Sequence, residues 1–175
     1  PNLLGILLLV TIAAGVLGII VLGLLFDQPL IYRGLVLSNF VVLCNLWLVI
    51  IFLSGMKAYN RILLVVLVGY TLMVASAYIL SVLQMPGLLL ALLLGHSTLL
   101  FLFLYDILRE YRADKLIAFD FLKRRQVFLS LLATGVFYNF GIWIDKFLFL
   151  FNPGTSHAIV GPLRASILYD LPIFL

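Results

Sequence analysis

A segment late in the chain carries the residue types that contact sugars. If residues 137–147 form a helix, Tyr138 and Asp145 lie on one face, and Asn139, Trp143 and Lys146 lie on the adjacent face. Aromatic rings pack against the apolar side of a pyranose, while amide and carboxylate groups bond its hydroxyls. The spacing therefore predicts a sugar-contacting wall along one side of this helix.

A second interpretation of the same segment stays open. Asp145 and Lys146 lie near the end of the helix, so both could extend their charged groups to lipid headgroups. The rings around them would then form an interfacial aromatic belt. The members of that belt would be Trp143, Phe147, Phe149 and Phe151.

Two further charges follow in an apolar context. Arg164 and Asp170 lie within residues 158–175, for which we predict the start of a sixth helix. Because Pro162 and Pro172 interrupt it, a broken or partly re-entrant element is the alternative. An unpaired charge in a membrane helix costs at least about 2.5–3.5 kcal/mol, so each needs a partner or an aqueous cavity. We expect Arg164 to pair with Asp145. The predicted substrate pathway comprises Tyr138, Asn139, Trp143, Asp145, Lys146, Arg164 and Asp170.

Signatures of enzymes and of metal sites are missing from the sequence. It has no paired-histidine motif, phosphate-binding glycine loop or nucleophile elbow. His96 lies in a polar notch of the fourth span, where we expect a hydrogen-bonded packing role, and His157 is expected in a solvated turn. Cys44, the only cysteine, is expected to be a small buried residue. We predict no catalytic residue, metal or cofactor.

The composition predicts a membrane protein. Of the 175 residues, 65% are hydrophobic and 10% are charged, whereas an ordinary soluble domain has about 25% charged residues. The net charge of +4 is interpreted as a topology signal and not as a nucleic-acid footprint, because the cations do not form a soluble basic domain. The predicted fold class is an all-α polytopic helix bundle.

Five apolar segments are long enough to cross a hydrocarbon core of about 30 Å. The chain also begins with Pro1 and stops inside an apolar stretch, so we interpret it as an internal fragment of a longer protein. The predicted organisation is four spans within residues 1–108 (3–26, 35–56, 62–83 and 88–108), a basic segment 109–126, a fifth span 127–151 and the truncated sixth helix at 158–175.

The distribution of charge predicts the topology. Residues 106–125 contain 10 of the 18 charged side chains, and six of these are Lys or Arg, so this connection is expected on the cytoplasmic side of the membrane. Arg33, between the first two spans, is the exception to this pattern. The segment is either a solvated helix extension or a site for docking a partner. The docking candidates are Arg109, Arg112, Lys115, Lys123, Arg124 and Arg125.

Small residues at four-residue spacing predict close helix contacts within the bundle. Such pairs let helix backbones approach each other in lipid, and they indicate packing without indicating a substrate. The pairs are Thr11 with Gly15, Ala14 with Gly18, and Ala77 with Ser81.

The last part of the chain resembles a known family. The run Phe137–Phe147, the turn Asn152–Thr155, and the segments Gly161–Ser166 and Tyr169–Phe174 are similar to the PelG family of inner-membrane proteins of Pel exopolysaccharide export. The resemblance is specific over residues 137–175 and only compositional before them. It implies membership of a polysaccharide flippase superfamily with about twelve spans in two lobes, and it places this chain at about the third to eighth span.

The resemblance also implies a cargo and partners. The cargo would be a hexosamine-rich polymer or a lipid-linked glycan, and the partners would be other inner-membrane Pel subunits, a cytosolic glycosyltransferase and a cyclic diguanylate receptor. The leading hypothesis is a non-enzymatic exporter embedded in membrane lipid. One alternative is a scaffold that holds the glycosyltransferase at the membrane, and another is a membrane-embedded glycan enzyme.

Overall fold

The computed structural model describes residues 2–56, 59–111, 115, 117–122, 128–160, 163–168 and 170. These residues form five α-helices and one short β-hairpin. The helices are α1 (Asn2–Leu25), α2 (Leu30–Met56), α3 (Tyr59–Leu80), α4 (Gln84–Glu110) and α5 (Leu129–Phe151), with 3₁₀ turns at Ser81–Leu83 and Asp120–Leu122. The strands are β1 (His157–Val160) and β2 (Leu163–Ala165). The chain divides into two compact units.

Helices α1 to α4 have the length and apolarity of membrane spans, as the composition predicts. Three described stretches qualify, namely Asn2–Leu25, Leu30–Gly55 and Tyr59–Glu110. The third has 52 residues, or about 78 Å of continuous helix at 1.5 Å per residue, which is far more than one crossing needs. It folds back at Ser81–Leu83, so it supplies both α3 and α4. The predicted membrane helix bundle is confirmed.

The first unit contains α1 to α4 and extends to Asp120. All four helices contribute to its main apolar cluster, which holds α2, α3 and α4 around the buried Phe103. Most other apolar side chains in these helices face outward, which suits a lipid surrounding and would be unstable in water. The fully or nearly buried members are Leu7, Leu46, Val49, Leu53, Val65, Leu99, Phe103 and Ile107.

Close approach of α3 and α4 depends on small residues. Leu99 lies over Gly69, and a Cβ built on Gly95 would lie 2.5 Å from the Cβ of Met73. Gly69 of α3 contacts Leu99 of α4, and Met73, further along α3, contacts Gly95, which comes earlier on α4. The two helices therefore run antiparallel. The turn between them comes at Ser81–Leu83, and Gln84, directly after it, has a φ of 57°.

One of the predicted small-residue pairs lies at a helix contact. Ala14 and Gly18 are buried in α1, and Gly18 faces Leu37 of α2. Gly15, by contrast, has open space where a Cβ would stand. Close packing of α1 therefore uses the face of Ala14 and Gly18.

Two buried asparagines that the sequence analysis did not single out link α2 to its neighbours. Asn45 donates through Nδ2 to Thr11 Oγ1 of α1 at 2.8 Å, and Asn39 donates to the carbonyl of Leu89 of α4 at 2.9 Å. Both side chains are more than nine-tenths buried. Interhelical bonds of this kind fix the register of helices that dispersion alone would let slide.

We expect a measurable coupling between Asn45 and Thr11. In a double-mutant cycle with Asn45→Ala and Thr11→Val, the coupling free energy should be about 0.6 kcal/mol, which is the usual value for interhelical bonds in membranes. The cycle is measured as the free energy of unfolding in detergent. A cycle of Asn45→Ala with Thr98→Val is the control, because Thr98 bonds only to its own helix at Leu94. Equal coupling in both cycles would contradict the assignment.

The second unit contains α5 and the hairpin, and the hairpin replaces the start of the predicted sixth helix. β1 and β2 pair antiparallel, with His157 opposite Ala165 and Ala158 opposite Arg164. Helical bonding is found only from Ser166, whose carbonyl accepts the N–H of Asp170 at 2.8 Å. The prediction of a helix starting at Ala158 is therefore wrong. The remainder of the predicted sixth helix, residues 171–175, lies outside the described residues.

The sequence contains the reason for this correction. Pro162 lacks a backbone N–H and disfavours helical geometry at the residue before it, so a helix through 161–162 is costly. The β-branched Ile159 and Val160 favour extended backbone.

Candidate site at the end of α5

The candidate site lies where α5 ends and the hairpin begins. α5 ends at Phe151, and the following turn is closed by Asn152, whose Oδ1 accepts the N–H of Gly154 at 2.9 Å. This is the Asx-turn geometry that Asn-Pro-Gly favours. The turn brings two hydroxyl residues, Thr155 and Ser156, back against the end of the helix.

These hydroxyls satisfy the last carbonyls of α5. Thr155 Oγ1 donates to Phe149 O at 2.7 Å, and Ser156 Oγ donates to Leu150 O at 2.7 Å. The final carbonyls of a helix have no partner within the helix, and an unsatisfied carbonyl is expensive near hydrocarbon. The turn therefore caps α5 with side chains of the chain itself.

Arg164 locks this cap in place. Its Nε donates to Ser156 Oγ at 2.7 Å and its Nη2 donates to Ser156 O at 3.0 Å. Ser166 adds a bond from its Oγ to Thr155 O at 2.7 Å and is fully buried. A cation next to the C-terminal end of a helix is also favoured by the helix dipole. Arg164 thus has a holding role between β2 and the capping turn.

An ion pair among the described residues of this unit joins Lys146 of α5 to Asp170, five residues after the end of β2. Lys146 Nζ lies 3.8 Å from Asp170 Oδ1, and both side chains are about one-third exposed. Asp170 also accepts the N–H of Ser166 through Oδ2 at 3.3 Å. The distance exceeds that of a hydrogen bond, so the pair is a charge contact of modest strength.

The predicted pairing of Asp145 with Arg164 is wrong. Arg164 bonds to Ser156, whereas Asp145 is exposed and forms no salt bridge with any described residue. Neighbouring helix positions point about 100° apart, so Lys146 faces Asp170 while Asp145 points elsewhere. The free carboxylate of Asp145 remains available to a hydroxyl-rich ligand.

The aromatic part of the predicted wall is exposed. Tyr138 is 69% exposed and Trp143 is 50% exposed. The ammonium of Lys146 lies 5.5 Å from the centre of the Trp143 ring, which is a cation–π contact. Asn139 donates its amide to Gly135 O of the same helix at 2.9 Å, which leaves its Oδ1 as an acceptor.

Three of the seven predicted pathway residues, Trp143, Lys146 and Asp170, are joined directly. The structure does not join Tyr138, Asn139 or Asp145 to them through any hydrogen bond or ion pair of the described residues. Ser156 was not among the predicted site residues. A usable signal was the Thr-Ser pair directly after Asn-Pro-Gly, because hydroxyl residues in such a turn bond back to the backbone.

The basic segment is described only in part. Arg109 lies exposed in the last turn of α4, and Lys115 is exposed beyond it. Within the described residues, the segment after α4 has a single 3₁₀ turn at Asp120–Leu122 and no α-helix, so the helix-extension interpretation is wrong there. The N–H of Asp120 instead donates to Asn2 Oδ1 of α1 at 3.1 Å. Arg112, Lys123, Arg124 and Arg125 lie outside the described residues.

Neither histidine adds a catalytic arrangement. The buried Nδ1 of His96 has no hydrogen-bond partner, so the expected packing bond is not formed at that atom. His157 is exposed at the start of β1, in line with the expected solvated position. Among the described residues, no group of three His, Cys, Asp or Glu side chains could hold a metal ion.

Comparison with known protein families decides the family. The family model of PelG, described as "Putative exopolysaccharide Exporter (EPS-E)", matches residues 1–175, which is the whole chain. The chain belongs to the PelG family. The match extends over the first spans, where the sequence alone gives only a compositional likeness. Comparisons with curated proteins and with solved structures give no match.

Family and fold agree on the broad class. PelG is described as an exporter of exopolysaccharide, and the chain has helices with the length and apolarity to cross a membrane. The chain is therefore a membrane protein sequence with a role in polysaccharide export.

Proposed function

We propose that this chain forms part of the route by which an exopolysaccharide crosses the bacterial inner membrane, without a catalytic step of its own. The cargo is a hexosamine-rich polymer or a lipid-linked glycan. The observation that supports this route is the exposed polar and aromatic side of α5, which comprises the face of Tyr138 and Asp145 and the adjacent face of Trp143. Such a face offers weak, repeated contacts suited to a moving chain of sugars.

The arrangement favours transport over tight binding. Hydrogen bonds to sugar hydroxyls through an exposed carboxylate and amide exchange readily with water, so each adds little net affinity. Trp143 supplies a ring face for the apolar side of the sugar, and Lys146 fixes one side of that ring. The capped end of α5 keeps this face in a constant position during passage.

The proposal includes the larger assembly. The parent protein has about twelve spans in two lobes, α5 is a span, and the segment after α4 is the cytoplasmic connection. Rocking of the two lobes, or a fixed conduit between them, exposes the route to each side. The partners are the other inner-membrane Pel subunits and a cytosolic glycosyltransferase that supplies the polymer.

A scaffold that docks the glycosyltransferase is the second candidate, favoured by the exposed cations Arg109 and Lys115. Here the two candidates predict different phenotypes. If the chain forms the route, Asp145→Asn at native expression level should lower extracellular polymer by about twofold to fivefold, because one weak contact is lost. Polymer or precursor should be retained inside. The same substitution should leave binding of the glycosyltransferase unchanged.

The matched variant reverses charge in the basic segment. Arg109→Glu with Lys115→Glu should leave export intact if the chain is the route, and should release the glycosyltransferase if the chain is a scaffold. Extracellular and retained polymer are quantified by hexosamine analysis, and the partner is followed by copurification. Normal export in Asp145→Asn together with lost export in the charge-reversed variant would overturn the route in favour of the scaffold.

A further inference from the structure

A cavity of about 230 Å³ lies between α1 and α2, and we call it the groove. Arg33 is the charged residue of its lining, and the other lining residues are nonpolar. These nonpolar residues are Ile19, Leu22, Gly23, Leu30, Gly34 and Leu37.

Arg33 has a positive charge without a protein partner. Its Nε is buried and has no hydrogen-bond acceptor, and the described carboxylates include none within salt-bridge distance of it. A buried donor on a charged group that lacks an acceptor is costly. Arg33 also lies in the first turn of α2, where backbone N–H groups favour an anion. The Arg33 side of the groove therefore favours a ligand with an anionic oxygen.

The rest of the groove specifies the other half of the ligand. Both α1 and α2 have the length and apolarity of membrane spans, so the groove opens on surroundings of hydrocarbon. A Cβ built on Gly23 or Gly34 would meet no atom within 4 Å. The absence of side chains at these two glycines leaves the space next to Arg33 open.

We propose that this groove binds a phospholipid with an anionic headgroup. The phosphate accepts hydrogen bonds from the Arg33 guanidinium, whose planar donor geometry suits phosphate oxygens. One acyl chain lies along the nonpolar lining of the same groove, next to Ile19, Leu22 and Leu30. An anionic headgroup is specified because the positive charge of Arg33 is not neutralised by protein, whereas a zwitterionic lipid carries a cation of its own. This site also gives a role to Arg33, the cation that departs from the predicted topology pattern.

The headgroup contact is tested by native mass spectrometry of the full-length protein, titrated with phosphatidylglycerol or phosphatidylcholine. The wild type should retain phosphatidylglycerol about tenfold better, and Arg33→Gln should abolish that preference. Arg61→Gln is the matched control and should keep it, because Arg61 already pairs with Glu110 at 3.0 Å. Retained preference in Arg33→Gln, or its loss in Arg61→Gln alone, would overturn the proposal.

The tail contact is tested by filling the groove. Gly34→Leu adds a side chain in open space next to Arg33 and should reduce retention of both lipids. Gly15→Leu also meets open space, but Gly15 does not line the groove, so retention should not change. Unchanged retention in Gly34→Leu would overturn the lipid site. If the wild type retains no lipid while Arg33→Gln lowers thermal stability, the occupant is another helix of the protein and the proposal is wrong.

Discussion

Replacing Arg164 with Gln should release the hairpin from the end of α5. The guanidinium donates to both the hydroxyl and the carbonyl of Ser156, at 2.7 and 3.0 Å, and Ser156 is buried. Hydrogen bonds from charged groups contribute about 1.5–3 kcal/mol each. Gln presents one donor group in place of the forked guanidinium and carries no charge, so both bonds cannot be kept with equal strength.

The release is measured by hydrogen exchange. We expect the protection of β1 and β2 amides in Arg164→Gln to fall about ten- to a hundredfold. Arg164→Lys keeps the charge without the fork and should give an intermediate loss. Arg109→Gln, which removes an exposed arginine of α4, should leave the hairpin unchanged. Full protection in Arg164→Gln would show that β1 and β2 are held by their own pairing.

Substituting Gly87 with Ala should prevent the normal closure of the turn between α3 and α4. A Cβ on Gly87 would run into the carbonyl oxygen of Leu80, and it would also lie 3.0 Å from the Cβ of Leu83. The obstacle is backbone, so no side-chain rotation relieves it. Overpacking of this kind costs about 1–3 kcal/mol, and a backbone clash is expected at the upper end.

The effect is measured as the melting temperature of the full-length protein in detergent. Gly87→Ala should lower it by about 5–10 °C. Gly15→Ala makes the same chemical change in a membrane-length helix where a Cβ meets open space, so its melting temperature should stay near that of the wild type. Equal melting temperatures for the two variants would contradict the described contact between α3 and α4.

The bundle could be predicted from the sequence because it depends on averaged properties. Long apolar segments separated by charges and turn residues locate α1 to α5 to within about five residues, since apolar length is the dominant constraint in a bilayer. The turn after α3 shows the limit of this approach. Pro and Gly often end a helix, but Pro86 and Gly87 both lie in the first turn of α4, where proline is tolerated.

The site was predicted as a region but not as a set of contacts. Asp145 and Lys146 are adjacent in sequence but point in different directions from α5. Only Lys146 points toward Asp170, which follows the hairpin. That direction depends on where β2 and Ser166 place Asp170, which in turn depends on the bonds of Ser156 and Arg164. Such a chain of tertiary contacts leaves no periodic signal in the sequence.

Asn39 and Asn45 show a different gap. Each was counted as part of an apolar span, yet each donates to a neighbouring helix. An amide in a hydrocarbon environment must find a partner, so its presence predicts an interhelical contact even when the partner is unknown. Polar residues within apolar spans are therefore a sequence signal for interhelical hydrogen bonds such as those of Asn39 and Asn45.

The central claim, that polymer passes along the exposed face of α5, is tested most directly by photo-crosslinking during export. A benzophenone amino acid placed at Tyr138 should capture hexosamine-containing polymer in cells that are exporting it. Phe137 is the matched control, because it is 73% exposed against 69% for Tyr138 but points about 100° away on the helix. Capture at position 138 without capture at 137 is the result we predict, and capture at neither position, or equally at both, would contradict a route along this face.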